Sequence, residues 1–160
     1  MNEKRMRGHL AEMLDEFAAH IPFERALEGF PPERAGERVE GLDHSMWMLV
    51  EHMRIANRDM IDWVEAETYE SRPFPKGYWP ASPEPPDREA WDDSIAAVKN
   101  GLEVLKGWLA DEARDLTAPL EREAAHSALR EILLIIAHNG YHIGQIVDLR
   151  FLLGEPVRDY

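Results

Sequence analysis

His138-Asn139-Gly140-Tyr141-His142 puts two imidazoles four residues apart. On a helix that spacing sets one ring above the other, so both can reach a common point. Such a pair can grip a divalent metal, or it can close a hydrogen bond inside an apolar core. The surrounding stretch, EILLIIAHNGYHIGQIVDLRFLLG, is apolar on nearly every side, and there an unpaired polar group is costly. Gly140 and Gly144 leave space beside the pair, and Gln145 follows His142 by three residues, in position to orient a ligand or substrate.

A metal held on one helix needs a third ligand from another, and His52 is the best placed. It sits midway along a second helical period, beside the apolar Leu49 and Met53. Three neutral imidazoles would hold a divalent transition metal and leave a position open for water or substrate, acidifying a bound water. The competing reading of His52 is a half-buried histidine paired with an acidic neighbour. Asp59 follows it by two turns on roughly the same face, whereas Glu51 points about 100° away. His44 precedes His52 by eight residues, about 80° round the helix, and reads as a cap, a solvated side chain or a lining of the cleft entrance. His9, His20 and His126 show no partner pattern. No His-Glu-x-x-His, no pair of Glu-x-x-His motifs of the di-iron kind and no glycine-rich phosphate loop is present, which removes the zincin, di-iron and nucleotide-binding readings.

These residues need helices to carry them. Leu10, Met13/Leu14, Phe17 and Ile21 predict a first helix from about Glu3 to about Glu28, kinked or divided at Pro22. Leu49, Met53, Ala56, Met60 and Trp63/Val64 predict a second from Asp43 or His44 towards Thr68, capped by Asp43 or Ser45. Trp91 to Leu109 carry the cleanest stripe, with Asp87 as its cap; Gly101 and Gly107 mark close helix packing. The last helix is expected from about Glu123 to Leu153, stopped by Gly154 and Pro156. At about 25 residues each, these would be close to 38 Å long and would form an all-α four-helix bundle. Between the second and third lies a Pro-rich connection, residues 71–86, with six prolines. Its Phe74, Tyr78 and Trp79 suit packing across the domain better than a free linker. Most of the five tryptophans read as core, with Trp79 and Tyr78 having the alternative of covering the cleft. Tyr141 reads as a packing or interface residue.

Eighteen Lys/Arg against 31 Asp/Glu leave a formal charge of −13, which repels phosphate backbones and excludes nucleic acid as the expected partner. No cysteine is present, so thiolate metal sites, disulfides and cysteine nucleophiles are out. The longest apolar run, Ile132 to Ala137, falls far short of the roughly 20 residues that cross a bilayer. MNEKRMRGHLAEML lacks the apolar stretch of a signal peptide. The expectation is a cytoplasmic protein with no membrane contact.

The pattern resembles the DinB/YfiT-like superfamily of small bacterial metal-binding four-helix proteins. The likeness runs over essentially the whole chain and is strongest at Gly41–Asp59 and Ala137–Gly154. It rests on Ser45 with His52 seven residues later, on His138-x-x-x-His142-x-x-Gln145, and on Arg150 with Leu153-Gly154. The resemblance implies one DinB-like bundle over residues 1–160, with His52, His138 and His142 holding a divalent metal, nickel or zinc. It also implies a homodimer, which the apolar last helix supports more weakly. Some relatives are thiol-dependent transferases or isomerases. The implied function is therefore a metal-dependent thiol S-transferase or hydrolase acting on an unknown small molecule. A low-molecular-weight thiol would arrive as cosubstrate, which suits a chain without cysteine. The alternative is a non-catalytic, metal-stabilised binding or stress-related protein.

Overall fold

The computed structural model describes residues 2–15 and 20–158. Five α-helices run through them: α1 (Glu3–Asp15), α2 (Phe23–Leu27), α3 (Met46–Glu65), α4 (Arg88–Ala110) and α5 (Ala128–Leu152). Short 3-10 turns occupy Pro32–Arg34 and Lys76–Tyr78. Helix α3 is central and packs against both α4 and α5, while α1 lies on α4 and the short α2 on α5. The fold is an all-α bundle, and among the described residues no helix is long and apolar enough to cross a membrane.

Three helix starts are set by side-chain caps, which satisfy backbone donors that have no partner within the first turn. Ser45 Oγ accepts from Met48 N at 3.2 Å, Asp87 Oδ1 from Ala90 N at 2.8 Å, and Ser127 Oγ from Arg130 N at 3.3 Å. Ser45, rather than Asp43, therefore opens α3. The last helix begins at Ala128 instead of Glu123, because Leu120 to Glu123 fold back into a tight bridge before the Ser127 cap. The expected first helix is two elements, α1 and α2, with α2 starting directly after Pro22. Phe17, expected within its stripe, lies outside the described residues. Gly101 does mark a close approach: a Cβ there would lie 3.5 Å from Ile61 Cδ1 and 3.8 Å from Asn57 Cβ on α3. Gly107 faces open space, so the packing reading fails for it.

The apolar interior falls into two clusters along the bundle. One gathers α2 with the first halves of α3 and α4 and the end of α5, around Met46, Val50, Met53, Val98, Ile146 and Leu149. The other gathers α1 with the opposite halves, around Ile61, Leu105, Leu116, Ile132 and Ile135. His52 and the His138/His142 pair fall at the level between them, following Val50 on α3 and lying between Ile135 and Ile143 on α5. Breaking the apolar column here exchanges packing for polar chemistry.

Candidate metal centre

Because α3 and α5 pack directly, His52 faces the pair one turn apart on α5. One ring nitrogen from each of His52, His138 and His142 lies within 4.8 Å of the other two. His52 Nε2 and His138 Nε2 are 3.1 Å apart. A tetrahedral ion about 2.1 Å from each imidazole nitrogen sets its donors about 3.4 Å apart, so the cluster has the right size. Among the described residues this is the one group of three histidine or carboxylate side chains so gathered.

The outer nitrogens fix the inner ones. His52 Nδ1 lies 2.7 Å from the Tyr78 carbonyl, which only accepts; Nδ1 therefore carries the proton and Nε2 presents a lone pair. His142 Nδ1 lies 2.7 Å from Gln145 Oε1, while the Gln145 amide nitrogen faces the Tyr141 hydroxyl at 3.5 Å. His142 Nε2 is likewise left as a lone pair. His138 Nδ1 is buried without a hydrogen-bond partner. Burial pushes both His52 and His142 down to about 4, against which the Tyr78 carbonyl and Gln145 act only in part. Burial lowers His138 too. At neutral pH the cluster is uncharged imidazole: His52 and His142 turn a lone pair inward, His138 Nε2 donates to His52 Nε2 across 3.1 Å, and a divalent cation would take that proton's place and join the three nitrogens. The donor set fits such an ion.

The Pro-rich segment builds the other side of the centre. Trp79 stacks on His52 with ring centres 3.9 Å apart and planes 5° from parallel. His44 stacks on the opposite face at 3.9 Å, so Trp79 is sandwiched between two imidazoles. His44 is thus neither a cap nor a free side chain, and burial lowers its pKa. The Ser45 hydroxyl donates to the Pro83 carbonyl, tying this segment to the start of α3. Tyr78 is held at its other end, its hydroxyl donating to Asp59 Oδ2 at 2.7 Å, while Tyr69 donates to Oδ1 at 2.9 Å. A continuous path therefore runs from Asp59 through Tyr78 to His52.

The histidines open into a cavity of about 670 Å³ that also reaches Asp59, Trp63, His126 and Glu131. Sequence reasoning gave His126 no partner, yet its Nδ1 accepts from Trp63 Nε1 at 3.1 Å and lies 3.0 Å from the buried Glu131. Glu131 went unremarked; its one signal was a carboxylate in the first turn of an otherwise apolar helix. Glu51 bonds Arg54 and Ser94 and stays clear of the cluster, as its helical angle predicts. Tyr141 stands at the cavity mouth, 5.0 Å from the His142 ring centre to centre. Beside the pair, the space at Gly140 admits the His20 ring, whose Nε2 would lie 3.0 Å from any added Cβ.

Residues 3–146 match the family model of the DinB superfamily. Searches of curated proteins and of solved structures gave no significant match.

Proposed function

The chain belongs to the DinB superfamily, and on that premise we propose that it is a metal-dependent enzyme acting on a small molecule. His52, His138 and His142 would hold one divalent transition metal of the zinc or nickel class. The observation that carries this reading is the convergence of three neutral imidazoles at the wall of an open cavity. Structural sites are closed by four protein ligands, whereas catalytic ones keep a place for substrate. Bound there, the ion supplies Lewis acidity, drawing the pKa of a water or a low-molecular-weight thiol towards neutrality.

The chain's own groups do the rest. The Tyr78 carbonyl and Gln145 hold two rings in the tautomer that points a lone pair inward. Trp79 covers the face of His52 and keeps water from it. No cysteine is available as a nucleophile, so thiol S-transfer would use a soluble thiol and hydrolysis would use water. The exposed apolar residues Leu133, Phe151 and Leu152 on α5 support a homodimer through that helix, which light scattering tests by mass.

Cobalt(II) substitution tests the reading. The visible spectrum of the loaded protein is expected to shift when a small thiol or imidazole is added, because a fourth position exchanges. A tetrahedral spectrum indifferent to both would mark a closed structural site and reject the enzyme.

A further inference from the structure

The walls of the cavity say what kind of molecule the centre receives. At about 670 Å³ it lies within the roughly 300–1,000 Å³ of small-molecule sites and far exceeds the ~150 Å³ that encloses a benzene ring. Ala56, Met60, Leu134 and the rings of Trp63 and Tyr69 form much of its lining. The polar groups there are already engaged with one another. Both Asp59 oxygens accept phenol hydroxyls, from Tyr69 and Tyr78. Trp63 Nε1 donates to His126, and Arg130 Nη1 donates to Glu131 at 2.7 Å. A polar ligand would have to break these bonds to make its own, with little net gain. An apolar one only displaces water from apolar wall.

Charge points the same way. Among the described residues, Arg130 is the one guanidinium or ammonium on the lining, and it already faces a buried carboxylate. Arg72 beside Asp59 and Arg122 over the Trp63 and Tyr69 rings lie behind the wall rather than on it, so a ligand with several carboxylates meets few cations on the lining itself. Phe74 and Tyr141, 87% and 66% exposed, stand at the rim. Large exposed aromatics beside an apolar hollow are the mark of a surface that a ligand covers. The histidine lone pairs are the exception to this self-pairing, and they lie at one end.

We infer that the site takes a molecule with a single metal-binding donor at one end and an uncharged, aromatic-sized apolar body lying along Met60, Trp63 and Leu134. The donor end rests on the metal reading above; the apolar body rests on the walls alone.

Two alkyl thiols of equal donor strength separate these elements. Titration calorimetry on the zinc-loaded full chain is expected to give 2-phenylethanethiol at least about tenfold tighter binding than ethanethiol, the increment of a buried aromatic ring. Leu134→Glu, at a half-exposed wall position, is expected to shrink that ratio. Equal affinities, or no binding of either to loaded protein, overturn the proposal while leaving the metal site standing. A chain that takes up no metal overturns the metal reading instead. The wall is then judged by the fluorescence of 2-naphthol, where saturable one-to-one binding supports the apolar body and its absence overturns it.

Discussion

Burial alone does not distinguish the histidine cluster from the two deepest arginines, since Arg150 is 3% exposed, Arg7 6% and His142 5%. Their partners do. Arg7 Nη1 donates to the carbonyls of Trp108, Leu109 and Asp111 at 3.1, 3.3 and 3.1 Å, and Nη2 to that of Arg114. It thereby satisfies the carbonyls that α4 leaves unpaired at its end. Arg150 does the same beyond α2, with Nη1 on Ala26 and Glu28 and Nε on Glu155. Each guanidinium closes its own account of donors and acceptors. Of the imidazoles, by contrast, His52 and His142 give their protons to outer acceptors and turn lone pairs inward, while the outer nitrogen of His138 is buried with no partner at all. A buried polar group that completes itself is scaffold, and one left incomplete in company is a site for something absent from the chain.

That contrast breaks most visibly at Arg150. Arg150→Met takes the donor from the buried Ala26 carbonyl and from the partly buried Glu28 and Glu155 carbonyls, so urea denaturation should report a loss of about 2–3 kcal/mol, with metal affinity of the folded protein unaltered. Comparable loss of metal affinity would show that the scaffold and the site are not separate.

Acid gives a second test with a comparable ceiling. His52 and His142 are held near 4 in the folded protein, against about 6.5 unfolded. As pH falls below the unfolded value, the unfolded chain takes up protons first, so the metal-free protein loses stability. The loss grows from about pH 6.5 and is complete near pH 4, at up to roughly 3 kcal/mol for a single ring and less for each of two that repel one another when charged. His142→Leu should flatten this dependence, and Arg150→Met should keep it. A His142→Leu variant with the wild-type slope between pH 6.5 and 4 would refute the buried neutral imidazole.

Smaller effects sharpen the account of how the rings are aimed. Gln145→Ala removes the acceptor of His142 Nδ1 and should weaken metal binding by about 10–100-fold. Tyr78→Phe leaves the carbonyl on His52 but releases the Asp59 tether, so about tenfold or less is expected. Calorimetry that ranks these two in the reverse order would move the main support of the centre from α5 to the Pro-rich segment.

Much of this was legible in the sequence, and the reasons for the rest are physical. Apolar periods placed α3, α4 and the core of α5, and Ser45 and Asp87 announced their caps by residue type. The division of the first helix was half visible, in Pro22. The start of α5 was missed because Glu123 continues a helical composition, and only the local fold-back at Leu120 decides otherwise. Spacing paired His138 with His142 and made His52 the best-placed third ligand, while the set of three came from the family resemblance. Its supports were less visible, because every residue carries a carbonyl and nothing marks Tyr78 as the one that meets His52. The Trp79 sandwich and the His126–Trp63 bond join segments far apart in sequence, with no period to connect them.

The central claim is that His52, His138 and His142 form one metal-binding unit, and direct titration of metal-free protein with zinc or nickel tests it. The account predicts one ion per chain, and a fall in affinity of more than about 100-fold in His142→Ala, beyond what losing an outer partner costs. Helicity should stay essentially intact, because the two apolar clusters stand without the site. No uptake by the wild-type chain, or equal uptake by His142→Ala, would contradict it.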